Sequence, residues 1–417
     1  MAETIASKLA KRIHTDGAPY HKGTTEPAGA VEGDIYFNTT NNILFQHDGT
    51  GFTKVSAELA TLSSVTGQYF ESVSKDLTLA GSGFLTSGLV VTFTHSGVDR
   101  TVTVTPSSDT AATVTTPSAL DSAVSGGDTV GIKVTNSDSQ TSTTVNITVV
   151  ALPTGGTITS AGGYRYHTFN SSGNFVAPSG FSATADFLLV AGGGGGGHAN
   201  GSGANGGGGA GGAIDSTVSL SAQTYAIVIG GGGSGTASGG DSRGNNGSNS
   251  TAFGSTAIGG GGGGTRNNAN GDSGGSGGGG GNTGSNSGTG GSGTSGQGNA
   301  GGNESGEGTQ FPAGGGGGKG GAGQTPSDGN DNGGDGGTGY NWKSLGTFYA
   351  GGGGGGTHVS GSASLGGSSV GGNGGVGSGQ TATAGTANRG GGGGGSGQSE
   401  GGGASGGSGV MIVRYAI

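Results

Sequence analysis

The chain lacks cysteine and is poor in charged and apolar residues. Of its 417 residues, none is cysteine, 9% are charged and 28% are hydrophobic. Ordinary soluble domains are about 45–50% apolar and about 25% charged. The absence of cysteine excludes disulfides and thiolate metal sites. The small apolar fraction excludes a single large hydrophobic core over this length.

Positive charge is also scarce, and the apolar residues form no long run. The chain has 15 Lys and Arg against 24 Asp and Glu, which gives a formal net charge of −9. Because binding to nucleic-acid phosphates needs dense Lys and Arg, we expect no nucleic-acid partner. No stretch reaches the roughly 18 apolar residues of a membrane-spanning helix. We also expect no secretory signal, since the first residues contain no apolar segment.

The motifs that usually carry catalysis or cofactor binding are broken or arise by chance. Gly318-Lys319 resembles part of a P-loop, but Gly320 stands where Ser or Thr is required. Matches to Gly-x-Gly-x-x-Gly are expected by chance in this composition, and no Ser/His/Asp constellation exceeds chance. We therefore predict a protein that is not an enzyme and that uses no cofactor and no metal.

One acidic segment leaves calcium binding open as an alternative. Residues 328–335 begin like an EF-hand loop, with Asp or Asn at alternate positions, and Asp331 and Asp335 add carboxylates. The closing acidic position is Gly339, and no flanking helices are predicted. The favoured interpretation is a set of solvated turn residues.

Glycine divides the chain into two parts. Of 113 glycines, 18 lie in residues 1–163, which leaves 113 − 18 = 95 in residues 164–417. The first part has ordinary composition, and the second is more than one third glycine.

Residues 23–57 predict a strand, an Asn/Thr turn and a second strand. Such a hairpin is too small to bury a core alone. The residues that characterise the segment are Gly33, Asp34, Tyr36, Asn41, Asp48, Gly49, Thr50 and Phe52. In these residues it resembles a short module of phage tail fibres and other virion proteins, and Phe52 stands where that module often has tryptophan. Since such modules often trimerise, the resemblance implies a homotrimer.

Residues 1–22 carry a basic cluster of Lys8, Lys11 and Arg12. Phage fibres usually attach through their N-termini, so one interpretation is a docking peptide for another virion structural protein. The other interpretation is a frayed terminus.

Residues 67–150 alternate between apolar and polar positions in runs rich in Val and Thr, between predicted linkers at 58–66 and 151–163. This pattern predicts an immunoglobulin-like sandwich of roughly seven strands. It resembles the transcription-factor-type immunoglobulin folds of phage and bacterial surface proteins, and the expected role is a spacer. A carbohydrate-binding role is the alternative, but no cluster of exposed aromatic residues supports it. The runs are 77–79, 89–93, 102–104, 130–134 and 145–149.

Residues 164–417 form a glycine-rich segment bracketed by apolar strands. Strands predicted at 187–190, 225–229 and 410–415 imply that the ends of this domain meet in one small sheet. A disordered linker is the alternative, but a flexible linker needs neither bracketing strands nor repeated runs of six glycines. The main runs are 192–197, 206–209, 230–233, 259–264, 277–281, 314–318, 351–356 and 390–395.

The ordered form available to such runs is the polyglycine II helix. It is extended, with a rise of about 3.1 Å per residue and no internal hydrogen bonds, so its backbone groups pair with neighbouring chains. Ordering each glycine costs roughly 1–2 kcal/mol, and each hydrogen bond returns about 0.5–1.5 kcal/mol. We therefore expect the terminal strands to anchor the packed helices. The predicted fold class is mainly β with polyglycine II.

The architecture of runs and variable segments resembles the glycine-rich domains at the C-termini of phage fibre proteins. It is also similar to the tip adhesins of T-even-like phages. The resemblance covers residues 164–417, and its more specific parts are Gly192–Gly197 and the closing residues 407–415. It implies polyglycine II helices whose connecting loops bind the host surface.

These observations predict a virion fibre that recognises a host glycan or outer-membrane protein. The alternative is a structural appendage or capsid decoration without receptor binding. The segment between the runs at 314–318 and 351–356 holds the sole tryptophan and three more aromatic residues. It is interpreted either as an exposed binding loop or as a small local core. The candidate receptor-binding residues are Tyr340, Asn341, Trp342, Lys343, Phe348, Tyr349, Arg266 and His358.

Overall fold

The computed structural model describes residues 20–417, apart from 33, 40–42, 55–58, 86–87, 200–202, 238–240, 283–287, 306–311, 328–330, 359–360, 378 and 399–400. The chain forms two compact units, Met1–Leu152 and Pro153–Ile417. The predicted attachment residues Lys8, Lys11 and Arg12 lie outside the described residues. The protein is mainly β, as predicted, and its second unit is a glycine-rich domain.

The first unit begins with a small sheet that contains the predicted hairpin. Its strands are β1 (Tyr20–Gly23), β2 (Ile35–Asn38), β3 (Ile43–His47) and β4 (Phe52–Lys54), in spatial order β1-β2-β3-β4. β2 and β3 are antiparallel, and β1 runs parallel to β2. Tyr36 is buried, with its ring 5.6 Å from that of Phe52.

The turn between β3 and β4 depends on Asp48. Its Oδ1 accepts hydrogen bonds from the hydroxyl of Thr50 at 2.7 Å and from the amides of Thr50 and Gly51 at 2.9 and 3.0 Å. These bonds favour the ionised carboxylate and lower the pKa of Asp48 to about 2. The Asp-Gly-Thr part of the predicted module is therefore a side-chain-capped turn.

The rest of the first unit is a sandwich of two sheets around one core. The elements are β5 (Thr61–Thr66), β6 (Asp76–Ser82), β7 (Leu89–His95), β8 (Val98–Val104), β9 (Ala111–Thr115), helix α1 (Ser118–Asp121), β10 (Thr129–Thr135) and β11 (Val145–Thr148). In the described residues, β5-β6-β9 form one sheet, and β11-β10-β7-β8 form the other. The pairing matches the expected immunoglobulin-like sandwich, except that the fourth strand of the sandwich, β8, pairs with β7 in the second sheet.

The predicted period of two places the core correctly. Leu77, Leu79 and Val91 are fully buried between the sheets, together with the apolar residues of β10. The predicted linker 58–66 is wrong in part, because Thr61–Thr66 pairs with β6 as β5. The error has a simple cause: Thr-Leu-Ser-Ser-Val-Thr holds few apolar residues, and its edge strand buries Leu62 but leaves most other positions exposed or half-buried.

The second unit is built on a five-stranded sheet. The strands of the unit are β12 (Thr157–Ala161), β13 (Tyr164–Phe169), β14 (Gly173–Val190), β15 (Ala213–Ile227), β16 (Ser250–Ala252), β17 (Ser255–Ala257), β18 (Tyr340–Asn341), β19 (Phe348–Tyr349) and β20 (Val410–Ala416). The order in the five-stranded sheet is β12-β13-β20-β14-β15. The prediction that the ends of the domain meet is confirmed, because β20 lies between β13 and β14. The predicted linker 151–163 is wrong in part, because it contains β12.

The apolar run at the end of β14 is buried on both faces of this sheet. Leu188 and Val190 pack with Ile412 and Trp342 on one face. On the other face Phe187 lies 5.3 Å from the ring of Phe253. A strand buried on both faces needs a continuous apolar run, which is why this segment does not alternate.

The glycine runs that leave this sheet are ordered and buried, with no regular helix or strand assigned to them. Along residues 192–197, amides three positions apart donate to the same neighbouring segment. Gly192 donates to Ser248 at 3.1 Å, and Gly195 donates to Asn245 at 2.9 Å. The hydrogen-bond direction therefore repeats every third residue. The amides of this run donate to three neighbouring segments, and its carbonyls accept from three others.

Each interior run is surrounded by others. Because amides and carbonyls both point outward, the run 192–197 is hydrogen-bonded in the described residues to segments 206–209, 233, 245–248, 260–263, 393–396 and 404–407. A Cβ added to Gly194 or Gly208 would lie closer than 3.0 Å to a neighbouring backbone atom. The close approach of neighbouring backbone segments therefore requires glycine at these positions.

Successive segments alternate in direction, and this gives the second unit two ends. The sheet end holds the strands and the turns beside them, where the backbone amide of Lys319 donates to the carbonyl of Ala350 at 2.9 Å. At the opposite end, which we call the distal end, Gly206 donates to Gly264 at 2.8 Å and Gly356 donates to Asn205 at 2.8 Å. Every second segment therefore leads away from the sheet, which we call an outward run. The loops that follow the outward runs lie together at the distal end.

Candidate binding surface at the distal end

The predicted aromatic loop lies at the sheet end. Trp342 is 1% exposed and packs in a core cluster with Leu188, Val190 and Ile412. The exposed-loop interpretation is therefore wrong for Trp342, and the alternative of a local core describes it. Burial of a large aromatic ring against the apolar end of the sheet is the physical reason. Phe348 remains 38% exposed.

Polar groups fix this loop to the sheet. Trp342 Nε1 donates to Asp215 Oδ1 at 3.0 Å, and the hydroxyl of Tyr340 donates to Asp215 Oδ2 at 2.6 Å. The second bond holds the proton on the phenol and raises the pKa of Tyr340 to about 12. Asn341 Oδ1 accepts from the amide of Gly346 at 3.0 Å within the loop.

A small ion-pair network continues across the sheet. Lys343 Nζ lies 3.3 Å from Asp186 Oδ1, and Arg414 Nε donates to Asp186 Oδ2 at 3.0 Å. Burial opposes ionisation of Asp186, but the bonds from Arg414 and Lys343 outweigh it and hold its pKa below the usual range. The guanidinium also lies 4.4 Å from the ring centroid of Tyr164 and 5.5 Å from that of Trp342. Every one of these groups has a partner within the protein.

Arg266 and His358, by contrast, lie at the distal end. Arg266 follows Thr265 and His358 follows Thr357, and each threonine comes directly after a run of six glycines. Both side chains are half-buried. The eight predicted receptor-binding residues therefore divide between opposite ends of the unit, and only these two belong to the distal loops.

The distal end also holds a buried polar cluster that the sequence did not predict. His198, Asn205 and Ser396 are 2%, 0% and 1% exposed. Asn205 Nδ2 donates to Ser396 Oγ at 2.9 Å, and Ser396 Oγ lies 3.1 Å from His198 Nδ1. The hydroxyl of Ser396 therefore joins the side chains of His198 and Asn205.

Several buried polar atoms at this end have no partner among the described residues. They include His198 Nε2, Asn205 Oδ1, Glu304 Oε2, Asp331 Oδ1, His358 Nδ1 and Gln398 Oε1. An unpaired buried polar group costs about 1–3 kcal/mol. The distal end, where the connecting loops gather above these groups, is the candidate binding surface.

A sequence signal for this surface did exist. His198, Thr265, Thr357 and Ser396 each follow directly after a run of six glycines. They are the first residues with side chains at the end of an outward run. Aromatic content, which directed the prediction to Trp342, is instead a signal for burial in a chain with so few apolar residues.

Comparison with known proteins supports the glycine-rich character of this unit. A family described as a glycine-rich domain matches residues 168–416, more than half of the chain, and the protein belongs to that family. The match begins within β13 and ends with β20, so it includes the strands that bracket the glycine runs. No curated protein matches the chain.

Two other findings concern the described residues. Within them, no group of three or more His, Cys, Asp or Glu side chains is placed to hold a metal ion. No helix in the same part of the chain is long and apolar enough to cross a membrane. Asp328 and Asn330 of the calcium alternative lie outside the described residues.

Proposed function

We propose that the protein is a phage virion fibre that recognises a host-surface receptor through the distal loops of its glycine-rich unit. The observation that carries the proposal is the collection of connecting loops at one end of the packed glycine runs. Loops that a rigid scaffold presents together are the usual position of binding residues. In this proposal the protein acts by binding and not by catalysis.

The glycine runs form the rigid support of this surface, and we assign them as polyglycine II helices. Three features support the assignment: the return of the hydrogen-bond direction every third residue, the ring of neighbours around residues 192–197, and the absence of space for a Cβ. A rigid support lowers the entropy cost of presenting loops to a partner. Long variable loops could then change without disturbing the fold.

The first unit would connect the recognition domain to the particle. Among the described side chains of the strands β1–β4, Ile35 and Tyr36 are buried, which is little for an independent module. We therefore propose that it trimerises and that residues 1–22 dock on another virion structural protein. Sedimentation of the full chain tests the trimer, and removal of residues 1–57 is expected to give a monomer.

Adsorption measurements test recognition, with two arginines as a matched pair. Arg266 lies at the distal end, and Arg389, also half-buried, lies at the sheet end, where its carbonyl accepts from Ala350 at 2.7 Å. The purified protein is expected to block adsorption of the particle to its host. Arg266→Ala is expected to weaken the block about tenfold if it removes one charge-assisted contact, while Arg389→Ala leaves it unchanged.

The outcomes separate the candidate functions. A purified, folded protein that does not block adsorption would favour a structural appendage or capsid decoration. A block that is reduced equally by both arginine variants would mean that the effect comes from charge alone and not from the distal loops.

A further inference from the structure

A groove on the side of the second unit lies next to the distal loops. It has a volume of about 420 Å³ and is bounded by the segments 324–327, 332–335 and 362–365. The middle segment contacts both walls. The backbone carbonyl of Asp335 accepts from the backbone amide of Gln324 at 2.9 Å, and Asp335 Oδ1 accepts from the amide of Leu365 at 2.7 Å. The groove is therefore held by the backbone of three neighbouring segments.

The groove is continuous with the candidate binding surface. The carbonyl of Asp331 accepts from the amide of His358 at 3.3 Å. Asn332, the next residue, lines the groove, and its Oδ1 accepts from the amide of Ser362 at 2.7 Å. A ligand in the groove would therefore lie beside the distal loops.

The lining is polar and carries little charge. Gln324, Ser327 and Ser362 are exposed and offer an amide and hydroxyls, which both donate and accept. Asp335 adds a carboxylate to the lining. Leu365, which is 59% exposed, adds an apolar surface beside these groups.

We propose that this groove binds a neutral saccharide, which gives the receptor a chemical class and rests on the proposed function. Sugar rings present hydroxyls that match amide, hydroxyl and carboxylate groups, and C–H faces that match Leu365. Hydrogen bonds from sugar hydroxyls to the Asp335 carboxylate would be charge-assisted. The volume lies within the range of about 300–1,000 Å³ of small-molecule sites.

The charge of the lining argues against two other kinds of ligand, an anion and a cation. No lining residue in the described part of the chain is Lys or Arg, so an acidic sugar or a phosphate would meet Asp335 without a compensating charge. A cation would need more acidic ligands than the described lining supplies.

A glycan array tests the proposal on the full chain. The probes are neutral bacterial O-antigen and capsular polysaccharides, with acidic polysaccharides printed beside them. Ser362→Tyr places a ring in the groove but keeps the amide that bonds Asn332. Ser295→Tyr is the matched control, because Ser295 is exposed in a turn at the sheet end. Gln324→Ala is a second groove variant that removes an exposed side chain and adds none.

The expected result is binding of at least one neutral polysaccharide, weakened about tenfold or more by Ser362→Tyr, several-fold by Gln324→Ala, and not by Ser295→Tyr. Absence of any array binding, binding of acidic polysaccharides alone, or binding that survives both groove variants would overturn the proposal. If the same protein still blocks adsorption, the groove is wrong while recognition by the distal loops stands. If it binds neutral saccharides but blocks no adsorption, the groove stands and the proposed function fails.

Discussion

Trp342 Nε1 donates a hydrogen bond to Asp215 Oδ1 at 3.0 Å, across 127 positions of sequence. Asp215 lies in β15, and Trp342 follows β18, so this bond connects a variable connection between glycine runs to the edge strand of the sheet. The tryptophan of this chain is therefore part of the anchor of the glycine-rich unit.

Substitution of Trp342 by Ala is expected to destabilise the second unit. Truncation of a buried aromatic side chain costs about 3–5 kcal/mol, and Asp215 would lose one donor. Thermal unfolding of the purified chain measures the change. Leu345→Ala is the matched control, since Leu345 lies in the same loop and is 52% exposed. A Trp342→Ala protein of unchanged stability would contradict the assignment of Trp342 to the anchor.

The amides of the run 259–264 are expected to exchange slowly with solvent. Gly260 donates to Gly192 at 2.9 Å and Gly261 donates to Ser276 at 2.9 Å, so exchange requires the runs to separate. If they separate only on cooperative opening, protection is about 10³-fold or more. Gly231 provides the comparison, because its amide donates to no described residue. Hydrogen exchange followed by NMR or mass spectrometry measures the difference, and equally fast exchange at Gly231 and Gly261 would argue for a mobile linker.

The strands that the sequence predicted correctly are those marked by a local pattern of apolar residues. Alternation at 77–79 and 89–93 places two sandwich strands, and the apolar run at 187–190 places the end of β14. β5 and β12 were missed because edge strands with few buried side chains carry weak periodicity. Glycine runs predict close packing, since their lack of Cβ allows it.

The position of the candidate site needed information that no single segment carries. The fate of Trp342 depends on Asp215, and the cluster of His198 with Ser396 joins residues 198 positions apart. Which loops share an end depends on the alternation of direction between runs, which only the hydrogen-bond register establishes. The position directly after each run of six glycines is a usable local signal for other chains of this composition.

Acidification is expected to destabilise the second unit through His167. This side chain is fully buried, with Nδ1 donating to the carbonyl of Gly155 at 2.8 Å and Nε2 3.2 Å from the hydroxyl of Tyr415. Burial lowers the pKa of His167 in the folded state. The unfolded chain therefore binds the proton at higher pH than the folded chain does. The contribution of neutral His167 to stability is fully present above the pKa of about 6.5 that histidine has in the unfolded chain, and it is lost as the pH falls below that pKa.

Unfolding monitored between pH 7.5 and pH 5, the interval around the unfolded value of about 6.5, measures this dependence. His167→Gln is expected to be less stable at neutral pH and to lose part of the slope. His358→Gln is the control, because His358 is half-buried in a distal loop. A wild-type stability that is flat over this interval would exclude His167 as a source of acid sensitivity.

The requirement for glycine is expected to differ between two positions of similar local sequence. Gly353 lies inside the packed runs, where its amide donates to Gly208 at 2.9 Å and an added Cβ would lie closer than 3.0 Å to the backbone of Gly393. Gly231 is exposed, and a Cβ there would meet nothing within 4 Å.

The substitution Gly353→Ala must push two packed segments of the chain apart and is expected to cost about 1–3 kcal/mol or more. Gly231→Ala restricts the unfolded chain at no steric cost and is expected to be neutral or to stabilise by about 0.4–1 kcal/mol. Denaturant unfolding of the two variants measures the contrast. Equal small effects at both positions would show that the runs do not pack closely and would remove the basis for assigning them as polyglycine II helices.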